Sequence, residues 1–375
     1  MDQEGKPHTP KTPATGGTRV AAFEIFLTRY LDAEGKPLGA LPELARDPDT
    51  LRDLYRAMVR VRVFDHHAVA LQRTGQLGTY GACTGQEAVA VAIGHAMRPE
   101  DVLLPTYREY AAQFQRGVDM TDILLYWGGD ERGMAYVQGR EQESNSQDFL
   151  ICIPVASHLP QAAGVAFAFK QRHEPRVAVC VLGDGGSSKG DFYEALNVAG
   201  AWQLPLVIVV NNNQWAISVP RTAQSAAETL AQKAIAAGIP GEQVDGGDLI
   251  AVRKRIGEAI ERARGDDGPS LIEALSYRLC DHTTADDASR YRDEAEVKAG
   301  WQKEPVRRLR NYLVAQGWWD EAREKKMLAA CEAEIEDAVK RYEAIVARKP
   351  TAMFEHLYAE LPAALKAQYK EVEGK

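Results

Sequence analysis

Two kinds of apolar pattern alternate along the central part of the chain. Short apolar runs, typical of buried strands, are separated by stretches in which apolar residues recur every three or four positions, as on an amphipathic helix. The predicted strands are residues 102–104, 149–153, 177–182, 206–210 and 271–277, and the predicted helices are residues 161–170, 191–202 and 249–264. This alternation predicts an α/β fold, a mostly parallel sheet with helices on both faces.

The flanking regions differ from this alternating part. Helical spacing over residues 51–68 predicts a long helix that ends near Gly75. Residues 1–17 are rich in Pro, Thr, Gly and Lys and predict a disordered tail, whereas residues from 294 onward predict long charged helices. We therefore divide the chain into a tail (1–17), an α/β domain (18–293) and a helical C-terminal segment (294–375) packed on that domain.

Composition excludes several classes of protein. The formal net charge of -8 argues against a nucleic-acid surface, which needs basic patches. The five cysteines are scattered, which indicates a reducing compartment without disulfides. No apolar run approaches the roughly 20 residues of a membrane span. We expect a cytoplasmic protein that binds neither nucleic acid nor a membrane.

Polar residues follow two of the predicted strands. Gly-Asp-Gly-Gly at residues 183–186 follows one strand, and three asparagines at residues 211–213 follow the next. Ligands of such sheets bind beyond the carboxyl ends of the strands, so Asp184 and Asn213 should be neighbours. Carboxylate and amide oxygens suit Mg²⁺, and glycines followed by a helix N-terminus suit a phosphate. The pattern predicts a site for a magnesium-bound diphosphate.

Other phosphate and metal motifs fit these residues less well. In a P-loop a lysine follows the last glycine, but here Lys189 precedes Gly190. A dinucleotide-binding fingerprint would need glycine where the chain has Ser188, which disfavours the rival class, an NAD-binding dehydrogenase. A calcium loop would need acidic residues at Gly186 and Ser188. A purely structural alternative is that both motifs are ordinary turns.

Three longer stretches carry a family resemblance. GDGGSSKGDFYEALNVAGA, YREY at residues 107–110 and RLCDHTTADDASRYR at residues 278–292 resemble the alpha subunit of 2-oxo acid dehydrogenase E1 components. The resemblance extends over residues 51–310. It implies a thiamine diphosphate-binding fold and an enzyme that uses thiamine diphosphate and Mg²⁺.

The resemblance also implies roles for particular residues. Asp184, Asn213 and the main-chain carbonyl of Trp215 would hold Mg²⁺. The diphosphate would be bound by Gly185, Gly186, Tyr107 and Arg108. The carbonyl of Ile153 and the amide of Val155 would contact the aminopyrimidine ring, and His282 would be the catalytic histidine, in a loop ordered over the cofactor. His158 is either close to the substrate or an ordinary core residue, and Tyr80 either lies at the site entrance or simply packs.

The resemblance implies partners and a reaction as well. Enzymes of this family oxidatively decarboxylate a 2-oxo acid and transfer the acyl group to the lipoyl group of an E2 acyltransferase. A glutamate that activates the cofactor is not evident in this chain, and the family places it on an E1 beta subunit, so we expect an α2β2 heterotetramer. Pyruvate is the expected substrate. A branched-chain 2-oxo acid is the nearest alternative, because PVASHLPQAAG and MFEHLYAELP are similar to branched-chain enzymes, and acetoin is a more distant one.

Overall fold

A parallel β-sheet forms the centre of the molecule. A computed structural model describes residues 18–134 and 147–373, so the predicted tail (1–17) lies outside the described residues. The strands within these residues are β1 Leu27–Thr28, β2 Val102–Leu104, β3 Ala178–Gly183, β4 Leu206–Asn212, β5 Trp215–Ala216, β6 Val219–Pro220, β7 Gly241–Asp245 and β8 Ser270–Leu275. The main sheet has the order β1-β7-β8-β4-β3-β2 with every pair parallel, and β5 and β6 form an antiparallel hairpin.

Helices cover both faces of this sheet. Those in the described residues are α1 Pro48–Arg73, α2 Glu87–Ala96, α3 Tyr110–Gln115, α4 Met120–Trp127, α5 Leu159–Gln171, α6 Gly190–Trp202, α7 Arg221–Gln224, α8 Lys233–Ala236, α9 Leu249–Arg264, α10 Glu294–Trp301, α11 Pro305–Ala315, α12 Glu321–Glu343 and α13 Ala363–Val372. The prediction of an α/β fold with a mostly parallel sheet is confirmed. None of these helices combines the length and apolar content that a membrane crossing requires.

Alternation along the central strands separates two hydrophobic cores. In β3, Val179 and Val181 belong to the core that also contains buried residues of α1, α2 and α9. Cys180 and Leu182 belong to the second core, with residues of α5 and α6. Successive side chains of a strand point to opposite faces, so one strand contributes to both cores. This explains why β3 and β4 appear in the sequence as continuous apolar runs.

The predicted strand at residues 149–153 was wrong. The stretch lies beside β2, where Phe149 N–H donates to the Leu103 carbonyl at 2.9 Å and Cys152 N–H donates to the Pro105 carbonyl at 3.2 Å. Two features interrupt a regular ladder. The Leu103 N–H donates to the Asp148 carboxylate at 2.8 Å, and Pro105 has no N–H to donate.

The long first helix follows its sequence signals. Asp47 caps α1 by accepting hydrogen bonds from Asp49 N–H and Thr50 N–H, each at 3.1 Å. The helix ends at Arg73, and Gly75 has a φ of +78°, which glycine adopts without strain. The predicted end near Gly75 is confirmed.

Two of the helices in the C-terminal part of the chain, α11 and α12, pack on the same core. α12 contacts α1 and α4, and α11 contacts α1 and α2. The apolar stripe of α12 is buried at Met327, Cys331, Ile335 and Ala338. The division of the chain at residue 293 stays a prediction.

Candidate active site

A cavity of about 570 Å³ opens at the carboxyl ends of β3 and β4. It is lined by all ten residues for which the sequence predicted a cofactor-binding, metal-binding or catalytic role. These are Tyr107, Arg108, Ile153, Val155, Asp184, Gly185, Gly186, Asn213, Trp215 and His282. Residues separated by up to 175 positions in the chain are therefore brought to one place (282 minus 107).

Asp184 and Asn213 lie at the same edge of the sheet. Gly183 of β3 is in register with Asn211 of β4, so the residues that follow the two strands are neighbours. Asp184 is 2% exposed, and its Oδ2 accepts a hydrogen bond from Gln224 Nε2 at 2.8 Å. Burial raises the pKa of the Asp184 carboxyl group. A divalent cation beside this carboxylate would offset the cost of burying its charge.

The side-chain amide of Asn213 is oriented by two hydrogen bonds. Its Oδ1 accepts from Trp215 N–H at 3.1 Å, and its Nδ2 donates to Gln86 Oε1 at 2.9 Å. The carbonyl of Trp215 lies 3.4 Å from Nη1 of Arg278. Because a carbonyl has two lone pairs, this contact leaves one lone pair of the Trp215 oxygen for a further ligand.

The oxygen donors at this edge of the sheet fit the ligand preference of Mg²⁺. Asp184, Asn213 and the Trp215 carbonyl present only oxygen atoms, which Mg²⁺ prefers, and Mg²⁺ commonly takes its remaining ligands from phosphate and water. In residues 18–134 and 147–373, no three His, Cys, Asp or Glu side chains are arranged so that they could together hold a metal ion, so these residues offer no site of the type that zinc prefers.

The two glycines after Asp184 are required by close packing. A Cβ atom at Gly185 would lie 2.6 Å from Cβ of Ala216, and one at Gly186 would lie 2.9 Å from Cγ1 of Val155. The turn is therefore held tightly between the β5–β6 hairpin and the segment around Val155. A side chain at either position would displace Ala216 or Val155, both of which line the cavity.

Arg108 is a buried cation with its guanidinium group at the cavity wall. Its Nη1 donates to the carbonyl of Ala82, and its Nη2 donates to the carbonyl of His282 at 2.5 Å. Its guanidinium lies over the ring of Tyr107, 5.0 Å from the ring centroid. A Cβ atom at Gly81 would approach Arg108 Nη1 to 3.3 Å, so Gly81 leaves space beside this cation.

His282 is held in one tautomer by two guanidinium groups. Its Nδ1 lies 3.1 Å from Nη2 of Arg108 and 3.3 Å from Nη1 of Arg278. Burial, with the charges of these two arginines, lowers the pKa of His282 to about 4. Since both neighbours are donors, Nδ1 must accept, and the proton of the neutral ring is on Nε2. At neutral pH, His282 can therefore donate a hydrogen bond from Nε2.

The loop that carries His282 is anchored in several places. Tyr291 is central, because its hydroxyl accepts from Arg278 Nη2 at 2.8 Å and donates to Asp286, and its ring packs 5.5 Å from that of Trp215. Asp286 in turn accepts from His282 N–H at 2.8 Å. The predicted ordering of this loop by a cofactor stays a prediction.

Ile153 and Val155 line the cavity, but their main-chain groups bond to each other. Val155 N–H donates to the Ile153 carbonyl at 2.8 Å. These are the two groups for which the resemblance implies contact with a ring. A ligand that contacts both must share this hydrogen bond or open it, so their role stays a prediction.

His158 and Tyr80, for which the sequence allowed either a site role or a packing role, do not line this cavity. His158 is 3% exposed and its Nε2 lies 2.9 Å from the Val181 carbonyl, which favours a core role. Tyr80 is fully buried, and its hydroxyl donates to Asp65 Oδ1 at 2.6 Å.

Two cavity-wall contacts were missed by the sequence analysis. Gln86 bonds Asn213 and Gln224 bonds Asp184, although Gln86 precedes Asn213 by 127 positions and Gln224 follows Asp184 by 40. A single glutamine outside a motif carries no recognisable signal, so only the folded structure reveals these pairs.

The fold and the cavity define an α/β protein with a polar ligand site at the ends of parallel strands. The model of the family "Dehydrogenase E1 component" matches residues 55–351. The pyruvate dehydrogenase E1 component subunit alpha of Staphylococcus epidermidis is 39% identical over 355 residues, which cover 93% of this chain and 94% of the relative. The protein of the same name from Staphylococcus aureus matches with the same identity and coverage. The chain belongs to the dehydrogenase E1 component family.

Proposed function

We propose that this chain is the alpha subunit of a pyruvate dehydrogenase E1 component. It would use thiamine diphosphate and Mg²⁺ to decarboxylate pyruvate oxidatively and pass the acetyl group to the lipoyl group of an E2 acyltransferase. The observation that carries the proposal is the convergence of ten predicted site residues on one cavity. The names of the relatives support pyruvate as the substrate.

The metal end of the site would be formed at the ends of β3 and β4. Asp184, Asn213 and the carbonyl of Trp215 would hold Mg²⁺, because all three are hard oxygen donors at the cavity wall. The raised pKa of Asp184 is consistent with a buried carboxylate whose charge a cation compensates.

The diphosphate would lie between the turn after β3 and Arg108. Arg108 supplies a buried guanidinium group, whose planar donors suit phosphate oxygens. α6 begins at Gly190 without a side-chain cap, so its N-terminus offers the positive end of the helix dipole, although Phe192 N–H already bonds the Lys189 carbonyl at 3.3 Å. The tight turn at Gly185 and Gly186 would bring backbone N–H groups close to the same phosphate.

Thiamine diphosphate, when bound, would supply a nucleophilic carbon for the 2-oxo group and a ring that serves as the electron sink for loss of CO₂. The contribution of His282 would be a neutral ring that donates from Nε2. Such a donor can stabilise an oxyanion without adding a full positive charge beside Arg108 and Arg278. Arg108 and Arg278 would hold the ring in this orientation through Nδ1.

The activating carboxylate would come from a partner chain. Asp184 and Glu109 are the carboxylates that line the cavity within the described residues. Glu109 is already engaged, because its Oε2 accepts from Thr106 N–H at 2.7 Å and from the Thr106 hydroxyl at 2.5 Å. We therefore propose an E1 beta subunit, an α2β2 assembly with the cofactor at each α–β interface, and an E2 lipoyl domain as acceptor.

Cofactor specificity tests the class of enzyme. The alpha chain is co-expressed with its beta chain, and the melting temperature is recorded with Mg²⁺ plus thiamine diphosphate and, separately, with NAD. We expect Mg²⁺ plus thiamine diphosphate to raise the melting temperature and NAD to leave it unchanged, because a ligand raises the melting temperature when it binds only the folded state. Stabilisation by NAD instead would contradict the proposal.

Substrate choice is tested by kinetics. We expect kcat/KM for pyruvate to exceed kcat/KM for 3-methyl-2-oxobutanoate, with ferricyanide as the electron acceptor. The reverse order would assign the chain to a branched-chain enzyme while leaving the cofactor site in place. Reductive acetylation of a lipoyl domain, measured by mass spectrometry, tests the acceptor.

We also include a cytoplasmic location in the proposal, consistent with five free cysteines.

A further inference from the structure

The amide of Asn213 belongs to a directed hydrogen-bond chain. The chain starts at Trp215 N–H, which can only donate, so Asn213 must present Oδ1 to it at 3.1 Å. Nδ2 of Asn213 must then face Gln86, and Gln86 must present Oε1 to it at 2.9 Å. We propose that Gln86 is a positioning residue that holds the Asn213 amide with Oδ1 toward the magnesium position. This inference rests on the proposed magnesium site.

The position of Gln86 suits this role. Gln86 is 2% exposed and immediately precedes α2. The next residue, Glu87, is fully buried and fixed by Arg62 at 2.6 Å and by Gly85 N–H at 2.8 Å. The backbone of Gln86 is therefore anchored beside a fixed residue, and its buried side chain presents Oε1 to Asn213 from that position.

The amide nitrogen of Gln86, Nε2, adds a free-energy cost to this hydrogen-bond arrangement. Gln86 Nε2 is buried and has no hydrogen-bond partner within the described chain. A buried unsatisfied donor commonly costs about 1–3 kcal/mol. Reversing the Gln86 amide would make this cost larger, because Nε2 would then face Nδ2 of Asn213. The geometry therefore retains an unsatisfied group in Gln86 while the Asn213 amide keeps both of its hydrogen bonds.

The orientation of the Asn213 amide matters because its oxygen can bind a cation and its nitrogen cannot. The oxygen of Asn213 can ligate Mg²⁺, whereas its NH₂ group carries only donors. If Gln86 is replaced by an apolar residue, Nδ2 loses its acceptor and the amide can turn away from the metal position. Residues that orient metal ligands from behind commonly change metal affinity by about 10-fold to 100-fold when they are replaced.

A double-mutant cycle isolates the orientation effect. Mg²⁺ is titrated into the α–β assembly in the presence of thiamine diphosphate, and the dissociation constant is obtained by calorimetry. We expect Gln86→Leu to weaken Mg²⁺ binding about 10-fold or more. In the Asn213→Asp background the same change should have little effect, because a carboxylate presents oxygen whichever way it is turned. Gln115→Leu is the matched control, since Gln115, on α3, bonds the Val91 carbonyl and does not line the cavity.

The outcomes separate the inference from the proposed function. An equal loss of Mg²⁺ affinity in both backgrounds would show that Gln86 acts by general packing and would overturn the inference alone, as would no loss in either. Absence of Mg²⁺-dependent binding in the unmodified assembly would overturn the magnesium site and the inference together. If Gln86→Leu lowers the melting temperature too far for titration, Gln86→Met, of similar length and with only a weak acceptor, takes its place.

Discussion

Arg108 Nη2 donates to two atoms of His282, the ring Nδ1 at 3.1 Å and the main-chain carbonyl at 2.5 Å. The arginine therefore fixes the histidine at its backbone and its ring together. A second guanidinium group, that of Arg278, lies 3.3 Å from the same Nδ1. Asp286 opposes these charges but bonds the backbone N–H of His282. Burial and the charges of Arg108 and Arg278 together outweigh the charge of Asp286. The imidazole ring of His282 is therefore neutral at physiological pH.

The lowered pKa of His282 predicts a particular dependence of stability on pH. The pKa is about 4 in the folded protein and 6.5 in the unfolded chain. Above about pH 6.5 both states are neutral at this residue. As pH falls from 6.5 to 4 the unfolded chain takes up a proton that the folded protein does not, so the free energy of unfolding falls. We expect the melting temperature of the natural protein to drop relative to that of His282→Asn across this window.

Calorimetry of both proteins at pH 7.5, 5.5 and 4.5 measures this difference. Titration of all other groups is common to the two proteins and cancels in the comparison. A difference in melting temperature that stays constant with pH would show that His282 keeps an ordinary pKa in the folded protein.

The close packing of Gly185 predicts that alanine is not tolerated there. In Gly185→Ala the new Cβ would lie 2.6 Å from Cβ of Ala216, so the β5–β6 hairpin must move. Overpacking of this kind commonly costs about 1–3 kcal/mol of stability. We expect a lower melting temperature and at least a tenfold rise, about 1.4 kcal/mol, in the dissociation constant of thiamine diphosphate in the α–β assembly.

Gly39→Ala is the control for this change. A Cβ atom at Gly39 would meet nothing within 4 Å beyond its own chain neighbours, so the same substitution there should alter neither quantity. Unchanged cofactor affinity in Gly185→Ala, with the variant folded, would remove this turn from the binding site.

The hydroxyl of Tyr291 predicts how firmly the loop with His282 is held. Tyr291→Phe keeps the ring contact with Trp215 but removes the hydrogen bonds to Arg278 and Asp286. Hydrogen bonds to charged groups contribute about 1.5–3 kcal/mol, so the loop should open more often. We expect trypsin to cut after the exposed Arg290 at least about tenfold faster. Fragments are followed by mass spectrometry, with Tyr193→Phe as control; equal rates at Arg290 would mean that the hydroxyl does not anchor the loop.

The centre of the sheet was predictable from the sequence, but β1 and β7, the two strands on one side of it, were not. β3 and β4 are buried on both faces, so they appear as continuous apolar runs whose ends place Asp184 and Asn213 correctly. β7 was missed because Val244 is its one buried residue and its remaining residues are half-buried. Its strand conformation depends on pairing with β8, a long-range contact that no local pattern records.

The candidate site likewise contains residues that sequence patterns predicted and residues that they could not. Aspartate, asparagine and arginine at the ends of strands have recognisable patterns, and the family resemblance extended the set to ten of the residues that line the cavity. Gln86 and Gln224 had no pattern, because their importance comes only from what they touch. Nor could the sequence show that Val155 N–H bonds the Ile153 carbonyl, since a three-residue turn of this kind depends on local backbone angles.

The last prediction concerns the isolated chain, which should not decarboxylate 2-oxo acids at a useful rate. Asp184 and Glu109 are the carboxylates of the cavity lining in the described residues, and Glu109 is engaged by Thr106. Without a partner's carboxylate the cofactor is poorly activated, and acid–base catalysis of this kind commonly contributes about 10²–10⁴-fold. Addition of the beta chain should restore cofactor binding and ferricyanide reduction together. Full turnover by the alpha chain, with no beta chain detectable by mass spectrometry, would overturn the two-subunit assembly.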